Sequence, residues 1–177
     1  MRKDAVTLEE SRLRGIEDVE DYRSFHERHR VFPAVFENRQ HKKIIDLAAG
    51  VGCAAERIRD SYSGDIICND ISPTSLRILM KNGLNTISFN LDDAETPFPL
   101  PKGSFDAVIA LATIEHLIHI DHFMQEIHRI LSDNGYLYIS APNYSGLIYL
   151  LPFLISGTTF HDPLLPSSRY EFYAHVR

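Results

Sequence analysis

Asp46 is a charged residue inside an apolar run, Ile44–Ala48 (IIDLA), and it stands four positions before Gly50-Val51-Gly52. Glycines at such a turn let the backbone approach a ligand without Cβ interference, and the helix that follows offers unpaired N–H groups. Asp70 follows the next apolar run, Asp65–Asn69 (DIICN), twenty positions beyond Gly50. In doubly wound folds a carboxylate at that place accepts hydrogen bonds from ribose hydroxyls. The set predicts a nucleoside-cofactor site at a topological switch point. Two cofactor classes compete for it. Gly50-Val51-Gly52-Cys53-Ala54-Ala55 fits the dinucleotide pattern G-x-G-x-x-A, which keeps an NAD(P)-binding oxidoreductase in view. Asp46 points the other way. Dinucleotide folds bring their glycines directly after an apolar strand, whereas an acid there suits a cofactor with a cationic amino-acid portion.

These residues need a scaffold, and the chain supplies one from Lys43 onward. Short apolar runs alternate with helical patterns: strand Ile44–Ala48, helix Cys53–Ser61, strand Asp65–Asn69, helix Thr74–Lys81, strand Thr86–Leu91, strand Phe105–Ala112, helix Ile120–Leu131 and strand Tyr136–Ser140. Ser72-Pro73 is a helix start signal, a cap residue followed by proline at the first helical position. Asn82-Gly83 and Ser132-Asp133-Asn134-Gly135 read as stops. Strands alternating with helices mean βαβ units, hence an α/β doubly wound, mostly parallel sheet with helices on both faces. Residues 1–42 read as an N-terminal helical cap. Leu8, Leu13, Ile16, Val19 and Tyr22 recur there among charges, and a second helical stretch spans Glu27–Asn38.

The set as a whole resembles the class I S-adenosylmethionine-dependent methyltransferases. IIDLAAGVG resembles that family's first motif and NDISPTSLRIL its second. FNLDDAETPFPLPKGSFDAVIALATIEHL resembles the stretch with the adenine contact and the fourth strand, and HFMQEIHRILSDNGYLYISAPN the fifth-strand region. The likeness implies a cofactor-binding core over 43–143 with strand order 3-2-1-4-5. It implies S-adenosylmethionine as donor and S-adenosylhomocysteine as product. It places Asp46 and Gly50 near the methionine portion, with Gly52 supporting the turn, and Asp70 on the ribose diol. Ile71 flanks the adenine, and Leu91 with Asp92 or Asp93 sits at the adenine edge, the register between the two acids left open. Leu111 and Ala112 line the donor pocket. Ala48 stands where the family has its first glycine.

A methyl on a sulfonium is already activated, so such a protein must chiefly align an acceptor and exclude water. A general base is needed only for an acceptor protonated at working pH. His116, with Glu115 beside it, follows the fourth strand and is the candidate base; capping the next helix is the alternative role. His116, His119 and His122 have an i, i+3, i+6 spacing, and on one helix the outer two point about 240° apart, which does not converge on a metal. Some O-methyltransferases of the family hold a divalent ion with Glu-x-x-Glu-His at this place. Here the first of those positions is Ala112, a lost hard ligand, and His175 is the one replacement in view, so no metal is assigned. Tyr144, His161, Tyr170, Tyr173 and the apolar segment Leu147–Gly157 fall where the family builds its acceptor site. That segment reads as a lid over a hydrophobic acceptor, as core packing, or as a partner-facing patch.

The chain has 177 residues, 44% hydrophobic and 24% charged, with a net charge of −6. That is ordinary globular composition, and its field repels nucleic acid. Cys53 and Cys68 are too few for a disulfide framework and read as core thiols of a reducing, cytoplasmic compartment. No secretory leader pattern opens the sequence, and the longest apolar run is far short of the roughly 20 residues that span a bilayer. The resulting expectation is a methyltransferase acting on a small molecule, on oxygen. A non-catalytic cofactor-binding module partnering another chain is the rival. Only 34 residues follow residue 143, where the family continues with a helix and an antiparallel strand pair. Residues 144–177 are therefore expected to be a shortened acceptor-side lid, and the open sheet edge to favour a homodimer.

Overall fold

A computed structural model of the chain describes residues 5–22, 36, 39–61, 64–141, 143 and 146–157. Its elements run α1 (Ala5–Arg12), β1 (Lys43–Leu47), α2 (Cys53–Ser61), β2 (Asp65–Asn69), α3 (Pro73–Lys81), β3 (Asn85–Ile87), β4 (Phe105–Leu111), a 3-10 turn (Ile114–His116), α4 (Ile120–Ile130), β5 (Leu131–Ser140) and α5 (Leu147–Ser156). The five strands form one parallel sheet in the order β3-β2-β1-β4-β5, the expected topology. Successive side chains of β1 enter opposite layers. Ile44 packs with Ala55 and Ile58 of α2 and Leu79 of α3, while Ile45 and Leu47 pack with Phe123, Ile127 and Ile130 of α4. Burying β1 and β4 on both faces fixes them at the centre, so whatever sits at their carboxyl ends stands on rigid backbone.

Four boundaries differ from the periodicity, each for a stated reason. β3 is Asn85–Ile87 instead of Thr86–Leu91. Past Ile87 the N–H of Phe89 turns to Asn69 Oδ1 at 3.0 Å and that of Asp92 to Asn90 Oδ1 at 3.0 Å, which takes the chain out of the ladder. β1 and β4 each stop one residue early, because Ala48 (φ 58°) and Ala112 (φ 51°) adopt left-handed backbone. The turn Ser132–Gly135 is no separate loop. α4 ends at Ile130, Leu131 already pairs with Phe105, and the ladder resumes with Ala107 opposite Tyr136. Ser72 caps α3 as expected, its Oγ accepting the N–H of Ser75 at 3.1 Å.

In the N-terminal region residues 5–12 form α1 and residues 19–22 a 3-10 turn, and 39–42 are not helical. Leu13 and Val19 are buried against Val51 and Ile78, with Ile16 and Tyr22 partly so. Apart from Phe36, the stretch Glu27–Asn38 lies outside the described residues, as do His161, Tyr144, Tyr170, Tyr173 and His175. α5 exposes much of its apolar surface, with Leu147 67% and Ile155 83% accessible. β5 borders the sheet with Tyr136 and Ile139 exposed. Among the described residues no helix is long and apolar enough to cross a membrane.

One side-chain clamp holds the loop before β4. Glu126 of α4 is buried and accepts from Phe98 N–H at 2.6 Å and from Arg129 Nη2 at 2.7 Å, while Arg129 donates to the carbonyls of Leu100 (2.8 Å) and Phe98 (2.9 Å). Removing Glu126 leaves a donor N–H and a guanidinium without their shared partner, so Glu126→Ala is expected to cost about 3 kcal/mol in chemical denaturation. Ala48→Gly removes a methyl from left-handed backbone and is expected to stabilise by about 1 kcal/mol in the same measurement.

Candidate functional site

The carboxyl ends of β1, β2 and β4 lie side by side, the place where an open parallel sheet usually has its binding crevice. At its floor stands Asp46, next to last in β1, on the face shared with Ile44. It is 3% exposed, and among the described residues no hydrogen bond reaches its carboxylate. Burial first, and the neighbouring Asp70 second, push its pKa up to about 8. A cation brought beside it would favour its ionised form. β1 then gives way to Ala48–Gly52. Gly50 has φ 58°, and a Cβ built there would meet open space, so its backbone is free to face a ligand. Gly52 (φ 97°) answers a different need: its Cβ would lie 2.5 Å from Leu79 Cδ2, so this glycine lets α2 sit close to α3.

Asp70 follows β2 and holds the turn from the side. Its Oδ2 accepts the N–H of Gly50 at 2.9 Å and its Oδ1 that of Ser72 at 2.8 Å. Burial raises its pKa to about 6 against the lowering pull of those N–H groups. Two oxygens offer roughly four acceptor sites, so capacity remains for ligand hydroxyls. Ile71 beside it is half-buried. Across the crevice, Asp92 Oδ1 accepts the N–H groups of Ile118 (2.8 Å) and His119 (2.7 Å), tying the segment after β3 to the start of α4. Asp93 turns the other way, onto Glu95 N–H at 3.0 Å and the Thr96 hydroxyl. Leu91 is buried among Leu47, Phe98 and Leu117 and presents little side chain to the crevice. Leu111 is partly buried and Ala112 donates its N–H to Ser140. Glu115 and His116 form the 3-10 turn that follows.

Three residues shape this crevice without having been singled out from sequence. Asn69 receives Phe89 N–H and so bends the chain toward Asp92, leaving its own buried Nδ2 without a partner among the described residues. Thr113 is buried and its hydroxyl donates to the Leu111 carbonyl at 3.1 Å, fixing the exit from β4. Glu10 of α1 reaches Ser72 and Thr74. Asn69 adjoins Asp70 and Thr113 adjoins Ala112, which were the local signals available; nothing local marks Glu10. Cys53 and Cys68 are buried thiols, the first partly, and burial pushes the Cys53 pKa up to about 12 and that of Cys68 higher. Among the described residues no three His, Cys, Asp or Glu side chains gather as a metal set.

The two raised carboxyls set a pH dependence for the free protein. Each keeps its proton longer when folded than unfolded, so the stability they allow is fully present below about pH 4 and is lost as pH rises through about 6 for Asp70 and about 8 for Asp46. Asp46→Asn removes the larger part. The variant is expected to gain stability over the parent chain progressively from pH 5 to pH 9, by on the order of a few kcal/mol at the top, read from denaturation midpoints.

Comparison with known proteins places this crevice in context. A malonyl-[acyl-carrier protein] O-methyltransferase of Geobacter sulfurreducens is 32% identical over 128 residues, covering 69% of this chain and 48% of its own length. A demethylmenaquinone methyltransferase of Chlorobaculum parvum is 29% identical over 150 residues, covering 77% of this chain and 61% of its own. The chain thus spans about half to three-fifths of these relatives. Among solved structures, the PH0226 protein of Pyrococcus horikoshii superposes with a TM-score of 0.64 at 20% identity, covering 81% of this chain and 71% of that one, a likeness of fold. Residues 45–139, more than half of the chain, match the family described as the methyltransferase domain. The chain belongs to that family, the class I S-adenosylmethionine-dependent methyltransferases with a Rossmann-like fold.

Proposed function

We propose that the protein transfers a methyl group from S-adenosylmethionine to a small-molecule acceptor, on oxygen. The observation that carries this reading is the pair of buried carboxylates, Asp46 and Asp70, on either side of a left-handed turn open at Gly50. Asp46 takes the ammonium of the methionine portion, which supplies the cation its burial calls for. Gly50 lets the backbone lie against the cofactor, and Asp70 takes the ribose diol with Ile71 beside the adenine. Asp92, which faces across the crevice to the start of α4, stands at the adenine edge in preference to Asp93, which folds back on its own turn. Leu111 and Ala112 border the donor end. The Ala48 methyl is accommodated because the residue is exposed.

When bound, the cofactor brings a methyl already activated by positive sulfur. The chain's own work is to align the acceptor and keep water out, an effect that reaches about 7–11 kcal/mol in well-oriented systems. His116 is the base that takes the acceptor's hydroxyl proton, with Glu115 next to it in the same turn. An apolar acceptor agrees with the uncharged helix α5 after β5 and with a relative named for demethylmenaquinone. A second reading, a cofactor-binding module that pairs with another copy of itself along β5, draws on the exposed Tyr136 and Ile139 of that edge strand. A single sedimenting species of monomer mass, unchanged over a hundredfold dilution, counts against it.

Calorimetric titration with S-adenosylhomocysteine and with NAD separates the cofactor classes. The homocysteine product is expected to bind and NAD not to. Asp70→Ala and Asp46→Asn are each expected to weaken binding about tenfold to a hundredfold. Affinity is expected to rise between pH 6 and pH 8, since Asp46 must release its proton to meet the ammonium. Binding of NAD alone, or of neither ligand, overturns the reading.

A further inference from the structure

Glu10 lies 62 residues before Ser72, yet its carboxylate closes on the start of α3. It accepts from Ser72 Oγ at 2.5 Å, from Thr74 N–H at 3.0 Å and from Thr74 Oγ1 at 2.7 Å. A negative charge there also complements the helix dipole. The contacts, Ser72 foremost, hold its carboxyl below the usual range and so ionised. Ser72 is fully buried and passes the connection on, since its N–H is the one that Asp70 Oδ1 accepts. Asp70 Oδ2 in turn accepts Gly50 N–H. An unbroken series of hydrogen bonds therefore runs from α1 through Ser72 and Asp70 to the glycine turn. A second tether joins the same region to the far end of α3, Asp18 to Lys81 at 2.7 Å, but it is exposed and leads nowhere near Asp70.

We infer that Glu10 is a positioning residue for Asp70: by fixing the Ser72 side chain it fixes the Ser72 N–H that sets the rotation of the carboxylate meant for a ribose diol. The inference rests on the cofactor reading above. Without Glu10 the buried Ser72 hydroxyl loses its acceptor and must turn to find another, and Ser72 no longer presents its N–H in one direction. Asp70 then points its oxygens at a diol in only part of its conformations. The loss falls on recognition of the diol, over and above any loss of folding stability.

The test titrates S-adenosylhomocysteine and its 2′-deoxy analogue into the parent chain, Glu10→Ala, Glu10→Gln and Lys81→Ala. Glu10→Ala is expected to weaken S-adenosylhomocysteine about tenfold, equivalent to about 1.4 kcal/mol, and the deoxy analogue less than about twofold. Glu10→Gln keeps an acceptor for Ser72 Oγ and is expected to recover most of the affinity. Lys81→Ala, which frees the other tether, is expected to change neither ligand. Should Glu10→Ala not fold, Glu10→Asp, one methylene short of Ser72, carries the same comparison. Equal weakening of both ligands, or none, overturns the inference alone. A parent chain that binds neither ligand overturns the cofactor reading and the inference with it.

Discussion

The hydrogen bond from Gly50 N–H to Asp70 Oδ2 joins the turn after β1 to the residue after β2, and much of the molecule is arranged around keeping it. A turn in left-handed backbone has few internal bonds of its own, so its shape is set from outside. Asp70 holds it from one side, Val51 anchors it beneath Leu13 and Val19, and the N–H of Ala49 bonds the Asn69 carbonyl. The cost is a carboxylate taken out of water within electrostatic reach of a second one, Asp46. Ionising two neighbouring buried carboxyls is unfavourable for folding alone. A domain whose central strands are buried on both faces can absorb that cost, and the crevice is its natural place because strand ends are where the backbone is least engaged.

The alternation of strands and helices, the cap of α3 and the spacing of glycine and acid were legible because each is written locally, while the strand order came with the likeness to a family. Alternating run lengths give the βαβ units, Ser72-Pro73 gives a helix start, and the twenty residues from glycine to acid give one helix and one strand. What escaped was carried by side chains that bond backbone far away. Asn69 ends β3 by taking Phe89 N–H, and no pattern within TISFNL shows it. Asp106 accepts the N–H groups of Lys42 and Lys43, starting β1 from 63 and 64 residues away. Glu126 fixes the loop at Phe98 over 28 residues. Periodicity reports which face of an element is apolar, and it holds no record of which distant carboxylate will come to rest at an element's end.

The same distinction separates the two acids after β3. Sequence placed Asp92 and Asp93 side by side as equivalent candidates, yet they serve opposite ends of the segment. One fastens the start of α4, the other folds a local turn with Thr96. Adjacent residues on irregular backbone point in unrelated directions, so a register left open by one residue there is a choice between different structures.

Ala48 and Ala112 carry a consequence for how this crevice can vary. They end β1 and β4, which are neighbours in the sheet, and both have positive φ. Backbone of that kind admits glycine freely, asparagine and aspartate with modest cost, and β-branched or bulky residues poorly. The rim of the crevice between the two central strands is therefore close to a fixed feature through sequence change, able to lose a methyl but hardly to gain a ring. Sequence change has more room at the turn Ile114–His116, where no residue has a positive φ. A lineage of this fold would hold the rim between its two central strands constant while the turn that follows β4 drifts.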